Sequence, residues 1–248
     1  MLQRPLGVKE RPSTFVKTWG EKQMELIDPE KRRAQRDHLI KEVGKGYFAD
    51  LNRTRKFGGK TWIAPPTAIR EDKALYFPDI AGTPLDKNTK VHTTDLLRGK
   101  ISVVGILTTQ ISDEHIRYFV QSTNAAFLNP QYPRYQHVLI NLQENVLKSM
   151  LVSIFLSSIR RSVPPEMHSR YLASSQNMEF VREDMGMVNK HIGYVYLVDE
   201  NLKIRWAGCG DAKAEESEAL LRCTKVLLER LQQKVPEKGE KNVKGAVK

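Results

Sequence analysis

The order of the apolar segments is the feature that most constrains the fold of this chain. Short runs rich in Val, Ile, Leu and Tyr predict buried strands, whereas longer amphipathic runs predict helices. In chain order these elements are strand Ile101–Thr108, helix Ser112–Ala126, strand Tyr135–Leu142, helix Val146–Ile159, strands Tyr194–Val198 and Lys203–Trp206, and helix Lys213–Leu231. This alternation predicts an α/β domain in which helices cover a central mixed sheet.

The predicted domain lies between two basic segments. The chain carries a net charge of +11, and its first 60 residues hold 15 Lys/Arg against 8 Asp/Glu. Residues 233–248 hold 5 Lys/Arg against 2 Asp/Glu, whereas the stretch between these two segments is nearly neutral. We therefore predict a basic N-terminal extension over residues 1–70, an α/β domain over residues 71–232, and a flexible basic tail over residues 233–248.

The N-terminal extension is predicted to be partly helical. Asp28-Pro29-Glu30 is a typical helix start, and the helix is expected to run to Val43 before Gly44 and Gly46. Its basic cluster consists of Lys31, Arg32, Arg33 and Arg36. Such a cluster is usually a solvated face, but it also suits an anionic membrane surface, RNA or an acidic protein.

Several classes of protein are excluded by composition. The longest charge-free helical stretch, Ser149–Ile159, is 11 residues long, whereas a helix that crosses a bilayer needs about 20 apolar residues. Two cysteines are too few for a disulfide scaffold or a multi-cysteine zinc site. The first twenty residues lack the apolar region of a secretory signal and make a poor mitochondrial presequence.

The element order is that of a thioredoxin-like domain, yet the residues for thiol chemistry are missing. In redox-active members the thiolate follows the first core strand, where a helix N-terminus lowers its pKa. The corresponding segment here, Thr108–Glu114, contains no cysteine. Gly193 stands where a proline usually precedes the third strand. These two losses predict a scaffold without thiol-disulfide activity.

Three motifs carry a resemblance to known families. Phe77-Pro78-Asp79-Ile80, followed by Gly99-Lys100, resembles the first part of peroxiredoxin and thioredoxin domains. The block His191–Gly210 and the opening Arg4–Gly7 resemble the mitochondrial ATP synthase assembly factors of the ATP-ten family. The resemblance implies a chaperone without catalytic residues, metal or cofactor, which binds newly made subunit a (subunit six) of the membrane sector and helps it to join the subunit c ring. It also implies a peripheral location on the matrix side of the mitochondrial inner membrane.

The hairpin in this block contains two candidate contact residues. Cys209 lies between two glycines, where it is either a redox or contact cysteine or, as we favour, a small residue in a tight turn. Alternation along the strand places Ile204 and Trp206 on the core side, beneath the last helix, and leaves Arg205 exposed. Arg205 is therefore the second candidate for contact with a client.

Two other functions stay open at this point. One is a thioredoxin- or peroxiredoxin-like redox enzyme that uses Cys209, and the other is a mitochondrial RNA- or ribosome-associated protein that uses the basic extension. The cysteine-free segment disfavours the first, and the neutral domain without an RNA motif disfavours the second. The helix Val146–Ile159 is apolar nearly all round, which is typical of a core helix, although part of it also suits a docking face.

Overall fold

The structure is a computed structural model that describes residues 2, 4–14, 59–143 and 158–234. Among these, the strands are β1 (Ala81–Pro84), β2 (Val91–His92), β3 (Ile101–Leu107), β4 (Tyr135–Leu142), β5 (Tyr171–Ser174), β6 (Tyr194–Val198) and β7 (Ile204–Cys209). The helices are α1 (Thr93–Leu97), α2 (Gln110–Phe127), α3 (Glu179–Arg182) and α4 (Ala214–Lys234), with a 3-10 helix at Pro165–Arg170. Residues 158–162 are also helical. The predicted helix at residues 28–43 and most of the one at 146–159 lie outside the described residues.

The strands form one mixed sheet in the order β2-β1-β5-β4-β3-β6-β7. β3 pairs in parallel with β4, and β4 with β5, whereas β6 is antiparallel to both β3 and β7. α2 connects the parallel pair β3 and β4, since a parallel connection needs a crossover. The thioredoxin-like α/β architecture expected from the element order is therefore confirmed.

The strand predictions are right where apolar runs are long and wrong where they are short. β4 and β6 have the predicted bounds, and β3 and β7 differ from them only at their ends. Gly82 lies in the short strand β1, which the sequence did not predict. A Cβ at this position would lie 2.8 Å from the Cβ of Leu172 on β5, so the glycine permits close strand packing.

The sheet separates two apolar clusters. On one face α2 and α4 cover Trp206, and Leu220 and Leu227 of α4 belong to the same apolar cluster. The rings of Phe119 and Trp206 are 5.9 Å apart. Trp206 is completely buried, as the alternation of β7 predicts. The other face packs around Phe77 and further apolar residues of the chain.

Two parts of the predicted extension pack on this domain. Leu6 is buried in the second cluster, and Val8 forms an isolated bridge with Tyr76. The segment 59–76 runs beside β7: the amide of Ile69 donates to the carbonyl of Arg205 at 2.6 Å, and Ile204 donates to Leu75 at 2.8 Å. This covering segment therefore protects a strand that lies at the edge of the sheet. The domain boundary at residue 70 stays a prediction.

Candidate functional site

The N-terminus of α2 is the place where thioredoxin-like chemistry is expected. The helix begins at Gln110, two residues before the predicted start, because Thr109 caps it. Thr109 Oγ1 accepts from the amide of Ser112 at 3.1 Å, and Ser112 Oγ accepts from the amides of Thr108 and Thr109 at 2.9 and 2.8 Å. Three amide donors at this helix start, those of Thr108, Thr109 and Ser112, are thus already bonded to hydroxyl oxygens.

The loop before β6 closes the same place from the other side. Thr108 Oγ1 donates to the carbonyl of Lys190 at 2.6 Å, and the Gly193 amide donates to His115 Nδ1 at 3.4 Å. A Cβ at Gly193 would clash with the carbonyl oxygen of Ser112. Burial lowers the pKa of His115, so its imidazole is neutral near pH 7. This corner is a packed contact between two loops.

Cys209 is a buried thiol. Its Sγ lies 3.3 Å from Thr61 Oγ1 and 3.7 Å from the Trp62 carbonyl oxygen. Burial raises the pKa of Cys209, so the unreactive protonated form prevails at neutral pH. Cys223 lies on the inner face of α4, and burial raises its pKa to about 11. The structure thus places both cysteines in apolar surroundings and brings neither to a surface.

The covering segment is held over Cys209 by a charged residue. Lys60 Nζ lies 2.7 Å from Glu216 Oε2 at the start of α4 and donates to the carbonyls of Cys209 and Asp211 at 3.0 and 2.7 Å. The other Glu216 oxygen accepts from the amide of Ala64 at 2.7 Å. Because every one of these buried groups has a partner, the ion pair fastens the segment instead of offering a reactive charge.

The prediction that Arg205 is exposed is wrong. Its side chain is 5% exposed and lies 3.1 Å from Asp199, which is 1% exposed. Arg205 Nε also donates to the carbonyl of Ile69 at 2.8 Å. The strand does alternate, but the covering segment lies over the face that the sequence assigns to solvent. Arg205 is therefore a structural residue of this edge and presents no contact surface.

A large cleft lies on the α2 side of the sheet, and sequence reasoning missed it. It has a volume of about 1110 Å³ and lies between α2, β4 and the region from Ile159 to Tyr171. Three side chains of β4 contribute to its lining: His137, Leu139 and Asn141. The available signal was the presence of two polar residues, His137 and Asn141, on one face of a strand that is mostly apolar.

Hydrogen bonds order the polar part of this lining. Tyr135 Oη donates to Asn124 Oδ1 at 2.6 Å, and Asn124 Nδ2 contacts His137 Nδ1 at 3.0 Å. Asn141 Nδ2 donates to Tyr171 Oη at 3.2 Å. His137 Nε2 is buried and has no hydrogen-bond partner. Burial lowers the pKa of His137 to about 4, helped by the charge of Arg170, so the ring is neutral at pH 7.

Other candidate chemistry finds no support in the part of the chain that the structure describes. There, His, Cys, Asp and Glu do not gather into a group of three or more able to hold a metal ion. Asp113 instead pairs with Arg117 at 2.6 Å, one turn along α2. The same residues include no helix long and apolar enough to cross a bilayer. The basic cluster at Lys31, Arg32, Arg33 and Arg36 lies outside them.

Comparison with known proteins identifies the family. A family model described as "ATP10 protein" matches residues 1–227. The chain is 33% identical to "Mitochondrial ATPase complex subunit ATP10" of Candida glabrata, over 87% of this chain and 80% of the relative. It is 34% identical to the protein of the same name from Saccharomyces cerevisiae, over 91% and 86% of the two chains. A solved structure, a putative thiol:disulfide interchange protein DsbE from Chlorobium tepidum, is 17% identical, covers 62% of this chain and 96% of its own, and has a TM-score of 0.44. The resemblance inferred from the sequence is thus confirmed, and the chain belongs to the ATP10 protein family.

Proposed function

We propose that this protein is an assembly factor for the mitochondrial ATP synthase and works by binding rather than by catalysis. Its client is newly made subunit a of the membrane sector, which it holds until that subunit joins the subunit c ring. It needs no cofactor or metal. The relatives named "Mitochondrial ATPase complex subunit ATP10" support the link to this complex.

The observation that carries the non-catalytic part of the proposal is the capped N-terminus of α2. Thr109 and Ser112 occupy the place of a reactive cysteine, and their hydroxyls already bind the amides at the helix start. Cys209, the candidate for a redox role, is a buried thiol with a raised pKa. A redox enzyme needs an accessible thiolate, so both features favour a binding protein.

Charge and family membership support a proposal for the location of the protein. We place the protein on the matrix face of the mitochondrial inner membrane, held peripherally through its basic segments, with Lys31, Arg32, Arg33 and Arg36 as contacts. Each Lys or Arg near an anionic leaflet contributes about 1 kcal/mol to binding. A role on RNA is disfavoured because the charge outside these segments is nearly balanced.

A cysteine-free variant tests the proposal. In cells whose own gene is deleted, full-length protein carrying Cys209→Ser and Cys223→Ala is expected to restore assembled ATP synthase to nearly the wild-type amount. The reason is that neither thiol takes part in the function. Native gel electrophoresis measures the assembled complex, and crosslinking during mitochondrial translation measures contact with new subunit a.

Trp206→Ala is the matched loss-of-fold control, because truncation of a buried Trp costs about 3–5 kcal/mol. It is expected to reduce stability and assembly together. If the cysteine-free protein is folded by circular dichroism yet fails to support assembly, a thiol function replaces the binding function proposed here.

A further inference from the structure

We infer that the cleft beside β4 is the docking site for the client, and that it takes an apolar helix-forming segment with basic flanking residues and one hydrogen-bond acceptor. This inference rests on the proposed function, because it assumes that the partner is a membrane subunit. It adds the surface and the chemistry by which that partner is recognised.

The size and lining of the cleft favour a polypeptide segment over a small molecule. Pockets for drug-sized ligands hold about 300–1,000 Å³, whereas this cleft holds about 1110 Å³. Its walls include Val120 and Leu128 of α2, Leu139 of β4, and Val163 and Met167 opposite them. Apolar side chains along the wall of a cleft are the usual partners of a helix with one apolar face.

His137, in the lining of the cleft, has an N–H group that lacks a hydrogen-bond acceptor within the part of the chain that the structure describes. Tyr135 donates to the Asn124 carbonyl oxygen, which leaves the Asn124 amide to donate to His137 Nδ1. A neutral imidazole with Nδ1 as acceptor carries its proton on Nε2. This N–H lies across the ring from α2 and has no acceptor among the described residues. Because an unsatisfied buried donor is costly, a partner that displaces the groups covering Nε2 and supplies an acceptor gains affinity.

Acidic residues in the lining of the cleft favour a partner segment with basic residues at its ends. Three acidic residues line the cleft, Asp113, Glu114 and Glu166, against one basic residue, Arg117. Arg117 is already paired with Asp113, so Glu114 and Glu166 remain for a partner. Apolar membrane helices carry Lys and Arg at the ends that stay on the side of synthesis. The acidic rim and the apolar wall together therefore match a newly made membrane segment.

Site-specific photocrosslinking in intact mitochondria tests this assignment. A photoreactive amino acid replaces Leu139 in the cleft, and in a matched protein it replaces Val226, an exposed apolar residue on α4. With radiolabelled translation products, the expected result is an adduct with subunit a from position 139 and none from position 226. If position 139 instead forms only intramolecular adducts with residues 144–157, the cleft is an internal packing site and the inference is overturned.

Two variants measure the chemistry of the site. His137→Leu removes the unsatisfied donor without shrinking the floor, and it is expected to lower the yield of subunit a adduct about tenfold. Glu114→Lys is expected to lower it about fivefold, whereas Glu229→Lys, an exposed control on α4, leaves it unchanged. Thermal denaturation shows whether His137→Leu is folded, and full adduct yield from this folded variant would contradict the role of His137.

The results of these experiments can reject the docking site without rejecting the proposed function. A subunit a adduct from position 226 alone, with assembly intact, leaves the proposed function standing and rejects the cleft. Absence of any adduct with subunit a, together with normal ATP synthase in cells that lack the gene, rejects the proposed function itself.

Discussion

The edge of the sheet at β7 and the cleft beside β4 differ in whether their buried polar groups have partners. At the β7 edge, Arg205 pairs with Asp199 and Lys60 pairs with Glu216, and backbone carbonyls accept further hydrogen bonds from both side chains. In the cleft, His137 keeps a buried nitrogen without a partner. Since buried polar groups are normally satisfied, the contrast supports a stabilising role for the β7 edge and the docking role that we propose for the cleft.

The largest expected effect tests the β7 edge. Arg205→Ala leaves the buried carboxylate of Asp199 without its counterion, although Oδ1 keeps its two backbone amide donors. Breaking a buried ion pair costs about 3–5 kcal/mol. Urea unfolding of the two proteins measures the loss. Arg222→Ala is the control, because its exposed pair with Glu218 on α4 contributes no more than about 0.5 kcal/mol. Equal, small losses in both variants would show that the edge is not closed as described.

The pH dependence of stability tests the cleft. The folded protein keeps His137 neutral down to about pH 4, whereas the unfolded chain protonates it near pH 6.5. The folded state binds fewer protons in this window, so stability falls as the pH falls through it. Between pH 7 and pH 5 the wild-type protein is expected to lose about 2 kcal/mol more than His137→Leu. Denaturant titrations at both pH values measure the difference, and His115 is common to both proteins.

One result of these titrations would contradict the buried, neutral state of His137. If both proteins lose the same free energy of unfolding between the two pH values, then His137 is already solvated or paired in the folded state. The contrast between the closed edge and the unsatisfied cleft would then disappear.

The smallest expected effect concerns the start of α2, where the cap residue Thr109 contributes to the lining of the cleft. Thr109→Ala removes the side-chain cap of α2 and is expected to cost about 1 kcal/mol. Thr109→Ser keeps the hydroxyl and is expected to cost much less. Thermal unfolding of the pair measures the cap. A full loss in the Ser variant would point to the methyl group, and hence to packing rather than capping.

The sequence predicts local elements well, but it does not predict which surfaces are covered by segments far along the chain. The long apolar runs 135–142 and 194–198 give β4 and β6 their predicted bounds, and alternation places Trp206 in the core. The same alternation fails for Arg205, since nothing local shows that residues 59–76 cover its face. β1, β2 and β5 were missed because strands of two to four residues have no measurable period.

The candidate site also has features that the sequence predicts and features that only the fold reveals. The missing cysteine and the glycine at position 193 are readable from the sequence, and the structure adds the hydroxyl caps that replace the thiol. The cleft was not predictable, because its lining depends on the sheet register that sets His137 beside α2. A polar residue in a buried strand is a detectable signal, but its partners come from elements far along the chain.

The Lys60 contacts can form only after most of this chain has been made. Lys60 binds carbonyls 149 and 151 positions later in the sequence, and Trp206 reaches back 141 positions to Pro65. Contacts of such separation form late, because a long loop must close before they give any stabilisation. A chain that is made or translocated from its N-terminus therefore keeps residues 59–76 without their contacts to β7 and α4 until these two elements have emerged. The C-terminal part of the domain thus holds a segment from its beginning in place, and a truncation before α4 would remove Glu216, which binds both Lys60 and the amide of Ala64.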